Sequence, residues 1–509
     1  MSIEIESERR DVCEPLDVII IGAGISGLGA ACHLQRECPD KDFLILEGRD
    51  AIGGTWDLFR YPGIRSDSDL YTFGYDFKPW HGQPIATAEE ILGYLNEVVE
   101  ENDLERDIRF SHWVSRASWS TEEALWTVET TVDGQAQCFT GRFLFMCQGY
   151  YNYEAGFRPE FPGEDDFAGT IIHPQHWPED LDYTAKRMVV IGSGATAATI
   201  VPAVAEQVAH VTQLQRSQTY YLSLDNSEQD PTIEELRALD IDKDWIHEVK
   251  KRQMLAFVQD IAERSMSEPE VVRQELIAAA AEALPEGYDV ETHFTPSYGP
   301  WKERLCLLPD GDMFEAIQSG KASVVTDHID RFVEDGIVLR SGEKLEADIV
   351  VTATGIELCG LGNVAFDVDG DAIDVPETWT YKGMMISDMP NLAWIFGYIR
   401  SSWTLRSDLI AHFVCRLLKH MDQEGVRQVT PRLRAQDEGM EGRAFIDPDD
   451  FAPGYIRRGA GRLPRQTGTG PWTNIQDYYQ ERDSIPNATF DDGALVFDNP
   501  ASRRTVEAI

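Results

Sequence analysis

The residues best suited to chemistry in this sequence sit in two glycine turns, Gly22-Ala23-Gly24-Ile25-Ser26-Gly27 and Gly192-Ser193-Gly194-Ala195-Thr196-Ala197. A Gly-x-Gly-x-x-Gly turn bends the backbone sharply and lets a pyrophosphate approach it closely. It also presents the amides and the positive dipole end of the helix that follows. Side chains at the glycines would block each of these. The second turn ends in Ala197, still small enough for close helix packing. Glu47 lies 20 residues beyond Gly27, where a carboxylate can bond ribose hydroxyls. The comparable place after the second turn holds Gln215-Arg216-Ser217 and no acid. A carboxylate there would repel the extra phosphate of NADP, whereas Arg216 attracts it. One charge-assisted bond of about 1.5–3 kcal/mol corresponds to a preference of roughly 10- to 150-fold.

These turns need strands and helices to position them, and the flanking patterns supply both. Asp17 to Ile21 is a β-branched run; Leu28, Ala31 and Leu34 then recur at helical spacing, and Phe43 to Glu47 is a second strand. About 170 residues later the plan repeats, with strand Met188–Ile191, helix Ala198–Gln207 and strand His210–Leu214. Each unit continues into a meander with a tight turn, at Asp133-Gly134 and at Asp335-Gly336. Each meander leads to an apolar strand ending in glycine, Phe143 to Gly149 and Asp348 to Gly355. The predicted fold class is α/β, with two Rossmann-like dinucleotide-binding domains.

Between the two, Asp225 to Leu284 is polar with helical spacing, start signals at Asp230-Pro231 and Ser267-Glu268-Pro269, and an alanine run from Ala278 to Ala281. It reads as a helical insertion, about 225–295, lining a substrate cleft. Ser407 to Met421 predicts an amphipathic helix, and charged Gln423 to Glu441 a surface connection. From Asp447 a tail rich in Gly, Pro and aromatics should wrap over folded parts. The expected boundaries are 1–153 for the first part of one domain, 154–355 for the second domain with its insertion, and 356–509 for the return to the first.

Composition limits the function classes. The 509 residues exceed one compact domain, and with 42% hydrophobic and 26% charged residues the chain is globular rather than disordered. A formal net charge of −43 repels nucleic acid and anionic membranes and keeps a solvated surface soluble. The 8 cysteines (Cys13, Cys32, Cys38, Cys138, Cys147, Cys306, Cys359, Cys415) show no Cys-x-x-Cys or zinc-like spacing, as expected of free thiols in a reducing compartment. Glycines interrupt the two most apolar stretches, Val18 to Ala31 and Val189 to Ala205, before either reaches the ~20 residues of a membrane span. The acidic start Met1–Glu8 is unlike a signal peptide, so the expected location is the cytoplasm. Nothing in the sequence sets an oligomeric state.

Longer motifs narrow the reading. Gly53-Gly54-Thr55-Trp56-Asp57-Leu58-Phe59-Arg60-Tyr61-Pro62-Gly63-Ile64-Arg65-Ser66-Asp67 resembles a signature of type I flavoprotein Baeyer–Villiger monooxygenases. A second signature, Phe167-x-Gly169-x-x-x-His173-x-x-x-Trp177-Pro178, stands ahead of the second glycine turn; its Trp-Pro ending is like that group, where heteroatom monooxygenases carry Tyr or Phe. Arg304-Leu305-Cys306, Tyr381-Lys382-Gly383-Met384 and Ser402-Trp403-Thr404-Leu405 are similar to the ethionamide-activating subgroup, and the likeness extends over nearly the whole chain.

The resemblance implies FAD in the first domain, NADPH in the second and a flavin C4a-peroxide as oxidant. One oxygen atom of O2 would then enter beside a ketone carbonyl, giving an ester or lactone. It implies that Arg304 is the active-site arginine, that Asp67 positions it, that Gly54, Thr55 and Trp56 lie against the flavin, and that Arg65, Ser66 and Asp67 border the nicotinamide. An open-chain aliphatic ketone is the expected substrate, with sulfides as side substrates. One departure stands out: many relatives carry lysine just before the arginine, and here the residue is Glu303, with Lys302 one place earlier. His173 is expected to organise hydrogen bonds and Trp177 to pack, and no metal is expected. The rival readings are a flavin-containing N- or S-oxygenase, opposed by Trp177-Pro178 and Arg304, and a non-catalytic flavin-binding protein. A disulfide reductase would need a Cys-x4-Cys after the first turn, which is absent.

Overall fold

In a computed structural model the described residues are 14–227 and 231–499. Met1–Glu8, Cys13 and the helix-start residue Asp230 lie outside them. β1 (Leu16–Ile21) runs into the first glycine turn, α1 (Ile25–Glu37) leaves it, and β2 (Phe43–Leu46) follows. β1 lies parallel between β2 and the end of the strand Gln135–Met146. That central place explains the apolar run Val18–Ile21, since a strand covered on both faces has no side to offer water. The earlier half of Gln135–Met146 closes an antiparallel meander with Leu125–Val132 and Trp113–Ser120, turning at Asp133-Gly134.

Three late strands join this sheet, Asp371–Ala372 pairing antiparallel at the edge with the first of the two that follow. Ala365–Val368 pairs parallel with Trp113–Ser120, and Leu392–Trp394 with the end of Gln135–Met146. The chain therefore returns to its first unit after leaving the second.

The second unit is a five-stranded parallel sheet. Its centre is β3 (Arg187–Ile191), followed by the second glycine turn, α2 (Ala195–Ala205) and β4 (His210–Gln215). The strand order is Ala322–Thr326, β4, β3, Ile349–Thr352, Thr170–Ile172. Here the meander across Asp335-Gly336 forms a separate three-stranded sheet instead of extending the parallel one.

The insertion is helical, with Pro231–Ala238, Lys243–Ser267, Pro269–Ala283 and Val290–His293, and its longest helix packs on the short helix Leu70–Phe73. The His247 ring, bonded through Nδ1 to the Trp80 carbonyl at 2.8 Å, ties it there. Two expectations near the end of the chain need correction. The expected amphipathic helix begins earlier, as α3 (Trp403–Glu424), and stops where Gly425 takes a left-handed φ of 65°. Within the expected surface connection, Gln428–Pro431 is a buried strand antiparallel to Leu495–Asp498. The Asn391 amide holds it, accepting from Val429 N–H at 2.7 Å and donating to the Arg427 carbonyl at 2.9 Å.

α1 and α3 lie side by side, joined by polar pairs that a hydrophobic pattern does not show. Buried His33 bonds Asp408 at 3.0 Å, while His412 bonds Glu37 and, at 3.3 Å, Asp76. The Asp76 hydrogen bond raises the His412 pKa; burial opposes it and Glu37 adds to it, leaving it at about 9. A pKa above the ordinary 6.5 stabilises the fold fully below that value, and the benefit is lost as pH rises through about 9. We expect the apparent Tm of the parent to fall by about 1–3 °C more than that of His412→Gln between pH 6.5 and 9, in scanning calorimetry at one ionic strength.

Candidate functional site

A cavity of about 460 Å³ opens at the carboxyl ends of β1 and β2, where a doubly wound sheet offers its binding crevice. Gly22 leaves β1 with φ +102°, and a Cβ there would lie 2.9 Å from the Cys147 carbonyl oxygen. At Gly27 a Cβ would fall 1.8 Å from the Gly22 carbonyl oxygen, so only glycine lets α1 pass this close to its own turn. Gly24 caps α1 without a side-chain hydrogen bond, which leaves the first-turn amides facing the cavity for an anion. Gly24 and Gly54 approach each other so closely that a Cβ on Gly54 would lie 3.2 Å from the Gly24 Cα. Gly54 has φ +56° and begins the short helix Thr55–Leu58, whose Thr55 and Trp56 line the cavity.

Glu47 lies on the cavity wall, 5% exposed. Its carboxylate accepts from the Ala23 N–H at 2.7 Å and the Arg49 N–H at 2.9 Å, fixing the glycine turn to the end of β2. Burial pushes its pKa up, and these two donors with the Arg49 charge pull it back. The donor set fits a dinucleotide: free amides for pyrophosphate, a fixed carboxylate for ribose, and room at the glycines where a Cβ would intrude.

Arg304 enters the same cavity from just before the strand Leu305–Pro309. Its Nη1 lies 3.0 Å from Asp67 Oδ2, with the two side chains 29% and 38% exposed, and both line the cavity. Burial disfavours the guanidinium charge, but Asp67 and the phenols of Tyr455, Tyr150 and Tyr151 outweigh it, so the pKa of Arg304 rises well above its ordinary value. The cation is permanent at every usable pH. Of Arg65, Ser66 and Asp67, it is Asp67 that reaches the cavity. Arg65 turns to Asp312 at 2.5 Å, and buried Ser66 bonds the Ser68 carbonyl at 2.6 Å; neither lines the cavity.

The sequence reading missed the aromatic wall around Arg304. Tyr150 stacks on Trp403 at 5.2 Å between ring centroids, and the Trp403 indole donates to Ser26 Oγ on α1 at 2.7 Å. Tyr455 comes from the short helix Gly454–Gly459 in the tail. A usable signal was present for one part: Tyr150-Tyr151-Asn152-Tyr153 follows directly on the carboxyl end of a central parallel strand. Tyr455 offered none, because only the return of the chain brings it here.

The second turn differs in being open. Gly192 has φ +138°, and its Cβ would lie 2.2 Å from the Ala353 carbonyl oxygen, while nothing lies within 4 Å of a Cβ on Gly194. α2 also starts without a side-chain cap. Ala195 and Thr196 open this helix, and Ala197, next in its first turn, is fully buried. The Ser193 hydroxyl donates to the Ser217 carbonyl at 2.8 Å, joining the turn to the end of β4, where Arg216 and Ser217 are exposed. His173 accepts from the Gln175 N–H at 3.2 Å, and burial lowers its pKa. Trp177 packs at the edge of the second core.

The family model for flavin-binding monooxygenase-like proteins matches residues 16–233. The chain is 47% identical over 486 residues to the FAD-containing monooxygenase EthA of Mycolicibacterium smegmatis, covering 95% of this chain and 97% of that protein. It is 46% identical over 486 residues to the probable FAD-binding monooxygenase AlmA of Acinetobacter baylyi, covering 95% and 96%. Among solved structures, an oxidised steroid monooxygenase bound to NADP superposes with a TM-score of 0.75 at 23% identity, covering 95% of this chain and 99% of that one. Cyclohexanone monooxygenase from Rhodococcus sp. Phi1 bound to NADP+ gives 0.74 at 21%, covering 96% and 100%. These two likenesses establish the fold, two dinucleotide-binding units in one chain. Among the described residues no helix is long and apolar enough to cross a membrane. With relatives this similar along almost its entire length, the chain belongs to the flavin-binding monooxygenase family.

Proposed function

We propose that this chain is an FAD- and NADPH-dependent Baeyer–Villiger monooxygenase acting on open-chain aliphatic ketones. The net reaction is ketone + O2 + NADPH + H+ → ester + NADP+ + H2O; one oxygen atom enters beside the carbonyl and the other leaves as water. The observation that carries this reading is the Arg304–Asp67 pair, 3.0 Å apart inside the cavity that the first glycine turn lines. Carbonyl attack builds negative charge on oxygen, and a permanent cation fixed beforehand stabilises that charge without reorganising. A heteroatom oxygenase has less need of such a cation, since an amine or sulfide brings the electron pair itself.

The roles divide by position. Bound FAD, reduced by NADPH, supplies the electrons and the activated oxygen. Gly22, Gly24 and Gly27 with the first amides of α1 hold its pyrophosphate, Glu47 its ribose, and Gly54, Thr55 and Trp56 its ring. Gly192, Ser193, Gly194, Ala195, Thr196 and Ala197 hold the NADPH pyrophosphate, with Arg216 and Ser217 at its 2′-phosphate. Asp67 orients Arg304, and Tyr150, Tyr151, Trp403 and Tyr455 keep water away from it. We assign 1–153 and 356–509 to the FAD unit and 154–355 to the NADPH unit, supported by the return of strands Ala365–Val368 and Leu392–Trp394 to the first sheet.

The test is product formation under isotopically labelled O2 with NADPH and, in separate reactions, a linear methyl ketone, a cyclic ketone, a dialkyl sulfide and a tertiary amine. Ester carrying one labelled oxygen from the linear ketone is the expected result. Sulfoxide or N-oxide with no ester from either ketone overturns the reading in favour of heteroatom oxygenation.

A further inference from the structure

Glu303 stands immediately before Arg304. Its carboxylate lies 3.7 Å from the Arg457 guanidinium on the short tail helix Gly454–Gly459. Arg457 is 60% exposed and Glu303 31%, so the arginine is free to turn while the carboxylate is partly held. Burial raises the pKa of Glu303, and Arg457 and Arg216 both lower it, so Arg216 bears on the same carboxylate from the end of β4. Lys302 does not join them, because its Nζ donates to the Asp449 carbonyl at 3.0 Å. Leu305, two residues after Glu303, pairs in parallel with Tyr220, four residues after Arg216, so Glu303 and Arg216 both stand before the same end of these two strands, and the Ser193–Ser217 hydrogen bond places that end beside the second glycine turn. Glu303, Arg216 and Arg457 together sum to one positive charge.

We propose that Arg457 supplies the second cation of the 2′-phosphate subsite begun by Arg216, and that Glu303 positions it and restrains the affinity. This rests on reading the second glycine turn as the NADPH site. A phosphate dianion arriving at Arg216 competes with Glu303 for Arg457, and two arginines against one carboxylate leave a net attraction. NADP+ and NAD+ differ only by that phosphate, so Arg457 governs the choice between them and leaves the binding of the rest of the dinucleotide unaltered. Arg457 belongs to the returning tail and Arg216 to the second sheet, so phosphate recognition also draws these two segments together.

The experiment measures dissociation constants of NADP+ and NAD+ by calorimetry on the FAD-loaded full chain at low and high salt. The proteins are the parent, Arg216→Ala, Arg457→Ala, Arg457→Lys and Glu303→Gln. The exposed charge of Arg457 sets the scale: Arg457→Ala should lower the preference for NADP+ about fivefold, Arg457→Lys should keep most of it, and Glu303→Gln should raise it. NAD+ affinity should stay at the parental value in all three, and the differences should shrink at high salt. If Arg216→Ala loses the preference and Arg457→Ala retains it in full, the role of Arg457 is overturned and the NADPH reading stands. If the parent itself binds both dinucleotides equally, the NADPH reading fails and this proposal falls with it.

Discussion

Replacing Arg304 with alanine is expected to slow ester formation from ketone by about 10²–10³-fold, the usual cost of removing a preorganised electrostatic stabiliser. The guanidinium is held by Asp67 at 3.0 Å and surrounded by three phenols that raise its pKa, so its charge does not vary with pH. The pH dependence of turnover should therefore come from other groups. FAD content should be unchanged, because the glycine turn and Glu47 lie on other elements. Arg304→Lys keeps a charge but not the planar fork, and should recover only part of the rate. Asp67→Asn leaves the cation but loosens its aim, and should cost about tenfold. The measurement is ester yield against NADPH consumed: without Arg304, NADPH oxidation should continue while its coupling to product collapses. Parental ester formation by Arg304→Ala would remove Arg304 from the reaction.

How far the sequence reached depends on how local each signal is. The two β-α-β units were legible because glycine spacing and a β-branched run are set by backbone geometry within thirty residues, and the structure places β1, α1, β2 and β3, α2, β4 around those turns. Glu47 was legible for the same reason. The aromatic wall was less so: Trp403 meets Tyr150 only when α3 packs on the first unit, and Tyr455 nears Arg304 only when the tail folds back, long-range arrangements with no periodicity to announce them. Gln428–Pro431 was misread because a four-residue buried strand carries too short a pattern to stand out from charged flanks. Arg65 shares a motif with Asp67, and its side chain pairs with Asp312 on the other unit, a long-range contact that local spacing does not show.

The largest stability effect should come from a residue that the hydrophobic pattern of α3 conceals. Arg406 is fully buried, its Nη2 bonding Glu481 Oε1 at 2.9 Å and its Nη1 the Phe396 carbonyl at 3.1 Å. Glu481, from the helix Tyr478–Ser484, is 1% exposed. Gly383 makes the room, since a Cβ there would lie 2.3 Å from Arg406 Nη2, and this gives the Tyr381-Lys382-Gly383-Met384 motif a structural purpose. Arg406→Met strands a carboxylate in the interior and should cost about 3–5 kcal/mol, whereas Arg406→Met with Glu481→Met removes both charges and should recover most of it. Chemical denaturation of the parent, both single variants and the double variant completes the cycle, with a strongly non-additive result expected for groups in contact. The guanidinium also lies 5.6 Å from the centroid of the Tyr398 ring, and Tyr398 lines the cavity. The single variant should therefore bind flavin more weakly than the double. If Arg406→Met costs less than about 1 kcal/mol, the buried pair is not what fixes α3 against the tail.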